Sequence, residues 1–133
     1  MRMIAPLVFA AMLSSTAVQA QAGLKNEDDI NHGLLIVAVA EKINRACDSI
    51  GVRVFAARGY VNDLKDIARE RGYSEKEIRS YLNNKQNKAE MRERRNAFYK
   101  SRGASNLDHA SLCKLGHGEI KKNSQIGVLL RAK

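Results

Sequence analysis

Residues 30–46, INHGLLIVAVAEKINRA, are the stretch of sequence that decides the fold. Their apolar side chains follow one another too densely to occupy a single face of a helix. An α-helix that is apolar on more than one face must be covered by other parts of the protein. The acidic residues Glu27, Asp28 and Asp29 stand just ahead of it, where carboxylates cap a helix and interact well with its positive end. We therefore predict a first helix that is the most buried element of the protein.

A second helix is predicted by apolar residues spaced three or four apart, which places them on one helical face. Asp48 or Ser49 supplies its N-terminal cap, and Gly72 marks its end. The apolar residues of this face are Ile50, Val54, Ala57, Val61, Leu64 and Ala68.

The third helix is predicted to begin at Glu75, because Ser74 and Glu77 have the spacing of a capping box. It runs to about Arg102 as one long helix, or it breaks near Asn83 and Asn84. Apolar residues are sparse in its middle, so that part has little to bury.

A last helix is predicted after Asp108, which can cap it. Gly116, Gly118 and Gly127 either allow close approach of another helix or mark a kink. Residues 21–133 contain no proline and no tryptophan, and their apolar content is mostly aliphatic, which favours packed helices. We predict one all-α domain, a small bundle of about four helices. The apolar contacts of the last helix are Leu112, Leu115, Ile120, Ile126, Leu129 and Leu130.

Residues 1–20 are predicted to be a cleaved signal peptide. Arg2 gives a short positive region, residues 4–13 form an apolar run, and Val18-Gln19-Ala20 is the small-residue pattern that signal peptidase recognises. The run is about half the length that spans a bilayer. The expected location of the mature chain is periplasmic.

Cys47 and Cys113 are the two cysteines, and in an exported domain an even number favours one disulfide. The alternative is a metal site. His109, Cys113 and His117 recur every fourth residue on one helix, and with Cys47 they would form a Cys2His2 set suited to zinc. Zinc would then need both cysteines to stay reduced after export. The disulfide is the preferred interpretation, and we predict no bound metal and no cofactor.

The chain carries 23 Lys and Arg against 14 Asp and Glu, a net charge of +9. Such a surface favours acidic proteins, anionic lipids or nucleic acid, and an exported protein meets nucleic acid least. The best candidate for a contact surface is a basic run with interleaved aromatic residues; the alternative is that the aromatic residues belong to the core and the arginines to a solvated face. The predicted partner-binding residues are Arg92, Arg94, Arg95, Phe98, Tyr99 and Arg102.

Sequence patterns of the common enzyme classes are missing. The chain has no Gly-rich phosphate loop, no Gly-x-Ser-x-Gly elbow and no His-Glu-x-x-His pair. The predicted function is therefore not enzymatic.

Three stretches of the chain resemble a known family. They run from Gly33 to Ile50, from Gly72 to Ile78, and from Leu112 to Lys133. The chain resembles an uncharacterised family, a domain of unknown function, of short exported bacterial helical proteins. The genes of that family tend to lie near those of respiratory NADH dehydrogenase, complex I.

The resemblance implies an accessory or interaction protein at the periplasmic side of complex I. The alternative function is a free-standing basic module that binds anionic lipid or acidic protein surfaces. For the accessory protein we expect a protein partner. For the free-standing basic module we expect an anionic membrane surface as an additional partner.

Overall fold

The computed structural model describes residues 23–133, so the predicted signal peptide lies outside the described residues. Two 3₁₀ turns, Leu24–Asn26 and Gly127–Leu129, accompany the helices and strands. None of the described helices is both long enough and apolar enough to span a membrane. The elements are, in chain order, α1 (Asp28–Ala46), β1 (Ile50–Val52), α2 (Val54–Glu70), α3 (Glu75–Asn83), α4 (Lys85–Ser101), α5 (His109–Lys122) and β2 (Leu130–Ala132).

Helix α1 lies at the centre of the protein and contacts α2, α4 and α5. Seven of its residues are buried, more than in any other helix of residues 23–133. Val39 and Ile43 have no exposed surface. The prediction that the first helix is the most buried element is confirmed.

The predicted helical fold is confirmed in part: it is not purely all-α, because residues 50–52 form a strand instead of the first turn of the second predicted helix. This strand pairs antiparallel with β2, and Val52 lies opposite Leu130. Asp48 and Ser49 therefore do not cap α2, which begins at Val54. The fold is helical with one short two-stranded sheet.

The last helix is also shorter than the apolar pattern predicted. Helix α5 ends at Lys122, where Asn123 adopts a left-handed conformation with φ of 50°. An asparagine tolerates this conformation better than most residues, and it ends a helix in the same way as glycine. Ile126, Leu129 and Leu130 remain buried, but they belong to the turn and strand that follow.

Residues 23–133 form five helices instead of the expected four or so, because the third predicted helix is broken. Asn84 has extended backbone angles, and its side chain accepts a hydrogen bond from the Asn87 amide at 3.0 Å. That bond caps α4. The prediction of one continuous helix is wrong, and the predicted break near Asn83 and Asn84 is confirmed. The capping box at the start of α3 is also confirmed, since Ser74 and Glu77 exchange both hydrogen bonds.

The predicted disulfide is confirmed between Cys47, at the end of α1, and Cys113, in the second turn of α5. The Cα atoms of the two residues are 5.2 Å apart. Cys47 is buried in the main apolar cluster, so the bridge joins α1 to α5 inside the core. The metal-site alternative is wrong here, because both sulfur atoms are bonded to each other.

Replacing both cysteines, Cys47→Ala with Cys113→Ala, is expected to lower the free energy of unfolding. The bridge closes a loop of 66 residues, which is worth about 4 kcal/mol through the entropy of the unfolded chain. Urea unfolding followed by circular dichroism measures the loss. An unchanged unfolding midpoint would show that the bridge does not stabilise the fold.

Gly116 explains why α5 approaches the centre of the protein so closely. A Cβ at this position would lie 2.6 Å from Ile43 Cγ2 and 2.6 Å from Ile50 Cδ1. The same construction at Gly118 meets no atom within 4 Å. The sequence left two roles open for these glycines, close approach of another helix or a kink. Gly116 has the first role, because it allows α5 to approach α1 closely.

The substitution Gly116→Ala is expected to destabilise the protein by about 1–3 kcal/mol, because the added methyl group overpacks the core. Gly118→Ala is the matched control in the same helix. It is expected to stabilise by up to about 1 kcal/mol, since alanine is the better helix former. Equal effects of both substitutions on the urea midpoint would contradict the packing explanation.

Candidate partner-binding site

Helix α4 presents an unusually polar surface for an element of a small domain. Between residues 85 and 102 there are seven Lys and Arg and two Glu. Only Tyr99 is buried. Glu90, one of the two acids, is paired with Lys25, whose Nζ lies 3.1 Å from Glu90 Oε1. The rest of the helix therefore carries a concentrated positive charge toward solvent.

The predicted contact residue Tyr99 is a core residue, and its assignment to a partner-binding surface is wrong. It has no exposed surface, and its hydroxyl donates to the Val39 carbonyl at 2.8 Å. Burial raises the pKa of Tyr99 well above its usual range. A buried hydroxyl needs a hydrogen-bond partner. This bond therefore allows the polar aromatic side chain of Tyr99 to be buried in the core between α4 and α1.

Arg92 and Arg94 are exposed, and Arg95 and Phe98 are half-buried. In residues 23–133 neither Arg92 nor Arg94 forms an ion pair. Their guanidinium groups therefore remain available to external carboxylates, with which arginine forms bidentate hydrogen bonds. We call Arg92, Arg94, Arg95, Phe98 and Arg102 the α4 basic face.

Arg102 is held in place by two interactions at the end of α4. Its guanidinium carbon lies 4.8 Å from the centre of the Phe98 ring, a cation–π distance. Its Nη1 lies 3.5 Å from Glu119 Oε1 on α5. Phe98 itself packs edge-on against Tyr99, with ring centres 6.3 Å apart. The last turn of α4 is thus connected both to the core and to α5.

Glu119 was not among the residues predicted from the sequence. Only 3% of its surface is exposed, and its Oε1 accepts no hydrogen bond from residues 23–133. Arg102 is the cation that faces this carboxylate. A buried carboxylate with one cationic neighbour depends strongly on that neighbour.

A cleft of about 240 Å³ opens between the end of α4 and α5. Lys114, Gly118 and Lys122 recur every fourth residue along its α5 side, so one face of the helix carries two lysines around an open glycine. The volume is below the usual range for small-molecule pockets. A cleft of this size accommodates a single side chain. The lining includes Arg102, Ser111, Lys114, Gly118, Glu119 and Lys122.

The sequence contained a signal for this cleft in the spacing of Lys114, Gly118 and Lys122. Glu119 had no such signal, because burial depends on which segments pack against α5, and the C-terminal segment is one of them. A Cβ at Gly127 would lie 1.9 Å from the Glu119 carbonyl oxygen, so this segment runs directly over the end of α5.

The histidines of the rejected metal site lie apart from this cleft. His117 Nε2 is 2.8 Å from Ser49 Oγ, next to the disulfide, and His109 is exposed at the start of α5. Residues 23–133 contain no group of three metal-ligating side chains.

The fold and the site together define a small disulfide-linked helical protein with a basic surface. The chain belongs to the family of unknown function DUF5333, which matches residues 22–131. No curated protein and no solved structure matches the chain.

The substitution Arg102→Ala is expected to lower the free energy of unfolding by about 2 kcal/mol, because Glu119 loses its cationic neighbour. The value is below that of a fully buried pair, since about half of the Arg102 side chain is exposed. Adding Glu119→Gln to Arg102→Ala should recover part of the loss. If the double variant is as unstable as the sum of the two single variants in urea, the pair does not interact.

Proposed function

We propose that this protein is an exported, non-enzymatic accessory protein that binds an acidic protein surface through the α4 basic face. The observation that carries the proposal is the pair of exposed arginines, Arg92 and Arg94, which have no ion-pair partner in residues 23–133. Interfaces use arginine readily because its planar group binds carboxylates in a fixed geometry.

The cleft beside Arg102 supports the same function. Arg102, Lys114 and Lys122 surround a space that fits one acidic side chain of a partner. The exposed arginines attract the partner, and the cleft fixes its position. Such charge complementarity mainly increases the association rate and the specificity of binding.

The proposed partner is respiratory complex I, at its periplasmic side. This choice follows from the resemblance to an exported family whose genes tend to lie near those of NADH dehydrogenase. The disulfide supports an oxidising compartment, since such bridges persist there. Within the proposal, the protein supplies a binding surface and no chemistry of its own.

Affinity purification from native membranes in a mild detergent tests the partner. We expect complex I subunits to co-purify with the tagged protein and to dissociate as the salt concentration rises, because exposed charges are screened. Recovery without any complex I subunit would reject this partner.

Arg92→Gln combined with Arg94→Gln tests the surface in the same experiment. The double variant removes two exposed charges and is expected to reduce partner recovery about tenfold, the usual effect of removing arginines that bind a partner. The matched control, Lys76→Gln with Arg79→Gln, removes two exposed charges from α3. Equal recovery with both double variants would show that the α4 basic face is not the binding surface.

A further inference from the structure

Three of the large apolar side chains that are most exposed in residues 23–133 lie on two neighbouring segments of the protein. They are Val54, Phe55 and Val128, with 58%, 86% and 37% of their surface exposed. The fourth, Leu107, is 87% exposed and stands alone between α4 and α5. An isolated exposed apolar residue needs no explanation, whereas a group of them marks an interaction site.

The backbone brings this group together. The Arg53 amide donates to the Leu129 carbonyl at 2.8 Å, and Arg53 Nε donates to the Leu130 carbonyl at 3.0 Å. These bonds join the first turn of α2, which contains Val54 and Phe55, to the 3₁₀ turn that contains Val128. The antiparallel pairing of β1 with β2 holds the same two parts of the chain together.

The two segments that carry the group bear charges of one sign only. Residues 50–62 and 123–133 contain four Lys and Arg and no Asp or Glu, and all four basic side chains are exposed. Arg131 and Lys133 both lie over Gly51, within 3.5 Å of the position of a Cβ there. Acidic residues begin again at Asp48 and Asp63 along the chain. The hydrophobic–basic patch is Val54, Phe55 and Val128 with Arg53, Arg58, Arg131 and Lys133.

We propose that the hydrophobic–basic patch docks the protein on an anionic lipid bilayer. Phe55 enters the headgroup region, and the surrounding basic side chains contact lipid phosphates. A bilayer accepts a protruding apolar side chain without a complementary pocket, and it attracts clustered Lys and Arg electrostatically. A protein partner would need a pocket for Phe55 and acidic residues placed around it.

This inference goes beyond the proposed function, because it uses a different surface and a different class of partner. The α4 basic face lacks an exposed apolar anchor, since Tyr99 is buried and Phe98 is half-buried beneath Arg102. Phe55, in contrast, is almost fully exposed. The two surfaces can therefore be tested separately.

Tryptophan fluorescence is the most direct test, because the chain has no tryptophan. Phe55→Trp and Leu107→Trp each give a protein with a single tryptophan at a similarly exposed site, which is excited selectively above the absorption of the four tyrosines. The protein, with its disulfide intact, is mixed with vesicles of phosphatidylglycerol and phosphatidylcholine or with phosphatidylcholine alone. We expect a blue shift only for Phe55→Trp, and only with the anionic vesicles.

Vesicle sedimentation with a second set of variants measures the contribution of each part of the patch. Phe55→Ser should weaken binding at least about tenfold, since an aromatic side chain leaves the bilayer, while Leu107→Ser should leave it unchanged. Arg58→Gln with Arg131→Gln should weaken binding about tenfold or more, whereas Lys76→Gln with Arg79→Gln should not.

Several results would overturn the proposal. They are an unshifted Phe55→Trp emission with anionic vesicles, equal shifts at both sites, and equal binding of Phe55→Ser and Leu107→Ser. A blue shift that follows protein concentration without vesicles would assign the patch to a second copy of the chain instead.

The α4 variant separates this proposal from the function proposed above. Arg92→Gln with Arg94→Gln should bind anionic vesicles as well as the unmodified protein does, even where it fails to recover a protein partner. Loss of vesicle binding in that variant would place the lipid-binding surface on α4 and overturn the assignment to the hydrophobic–basic patch.

Discussion

The rest of the structure depends on the burial of α1 (Asp28–Ala46). A helix that is apolar on several sides is stable in water only when other elements cover each of those sides. Helices α2, α4 and α5 do so, and the disulfide joins the end of α1 to α5 inside the same apolar cluster. Gly116 removes the side chain that would otherwise hold α5 away from Ile43. The aliphatic core can therefore be compact although it contains few aromatic residues.

The basic surface follows from the way in which α4 contributes to this core. Tyr99 closes the core by burying its ring and bonding its hydroxyl to the Val39 carbonyl. Because one anchor near its end suffices, most of the remaining α4 residues are free to be charged. Arg102 then connects this charged helix to Glu119 on α5. Tyr99 thus serves stability, Arg92 and Arg94 serve the proposed partner binding, and Arg102 serves both.

The protein presents two exposed surfaces of different character. The α4 basic face is polar, with exposed arginines and a small cleft, and suits an acidic protein surface. The hydrophobic–basic patch combines protruding apolar side chains with exposed cations, and suits a lipid headgroup layer. Together the two proposals describe a protein held at a membrane surface beside an acidic partner. Neither surface requires a catalytic group.

Local sequence signals predicted much of the fold correctly. The dense apolar run of α1 identifies a buried helix from one continuous segment. The capping box at Ser74 and the asparagine at position 84 act within about one helical turn, so their outcome does not depend on distant residues. The cysteine pair was also predictable, since two cysteines in a chain that is expected to be exported leave one intramolecular pairing. The positive charge of residues 85–102 was equally visible, because charge needs no partner to be recognised.

Only the tertiary structure decided whether a residue is buried or exposed when its neighbours in space are distant in sequence. Ile50 fits an apolar helical stripe, but its pairing with the C-terminal strand makes it part of a sheet. Tyr99 and Phe98 are neighbours of the same chemical class, yet α1 buries the first and leaves the second half-exposed under Arg102. The sequence alone determined where most of each helix lies, because backbone hydrogen bonds and caps are local. Which side chains become core, cleft or surface depended on packing between distant segments, because burial is a property of the whole fold.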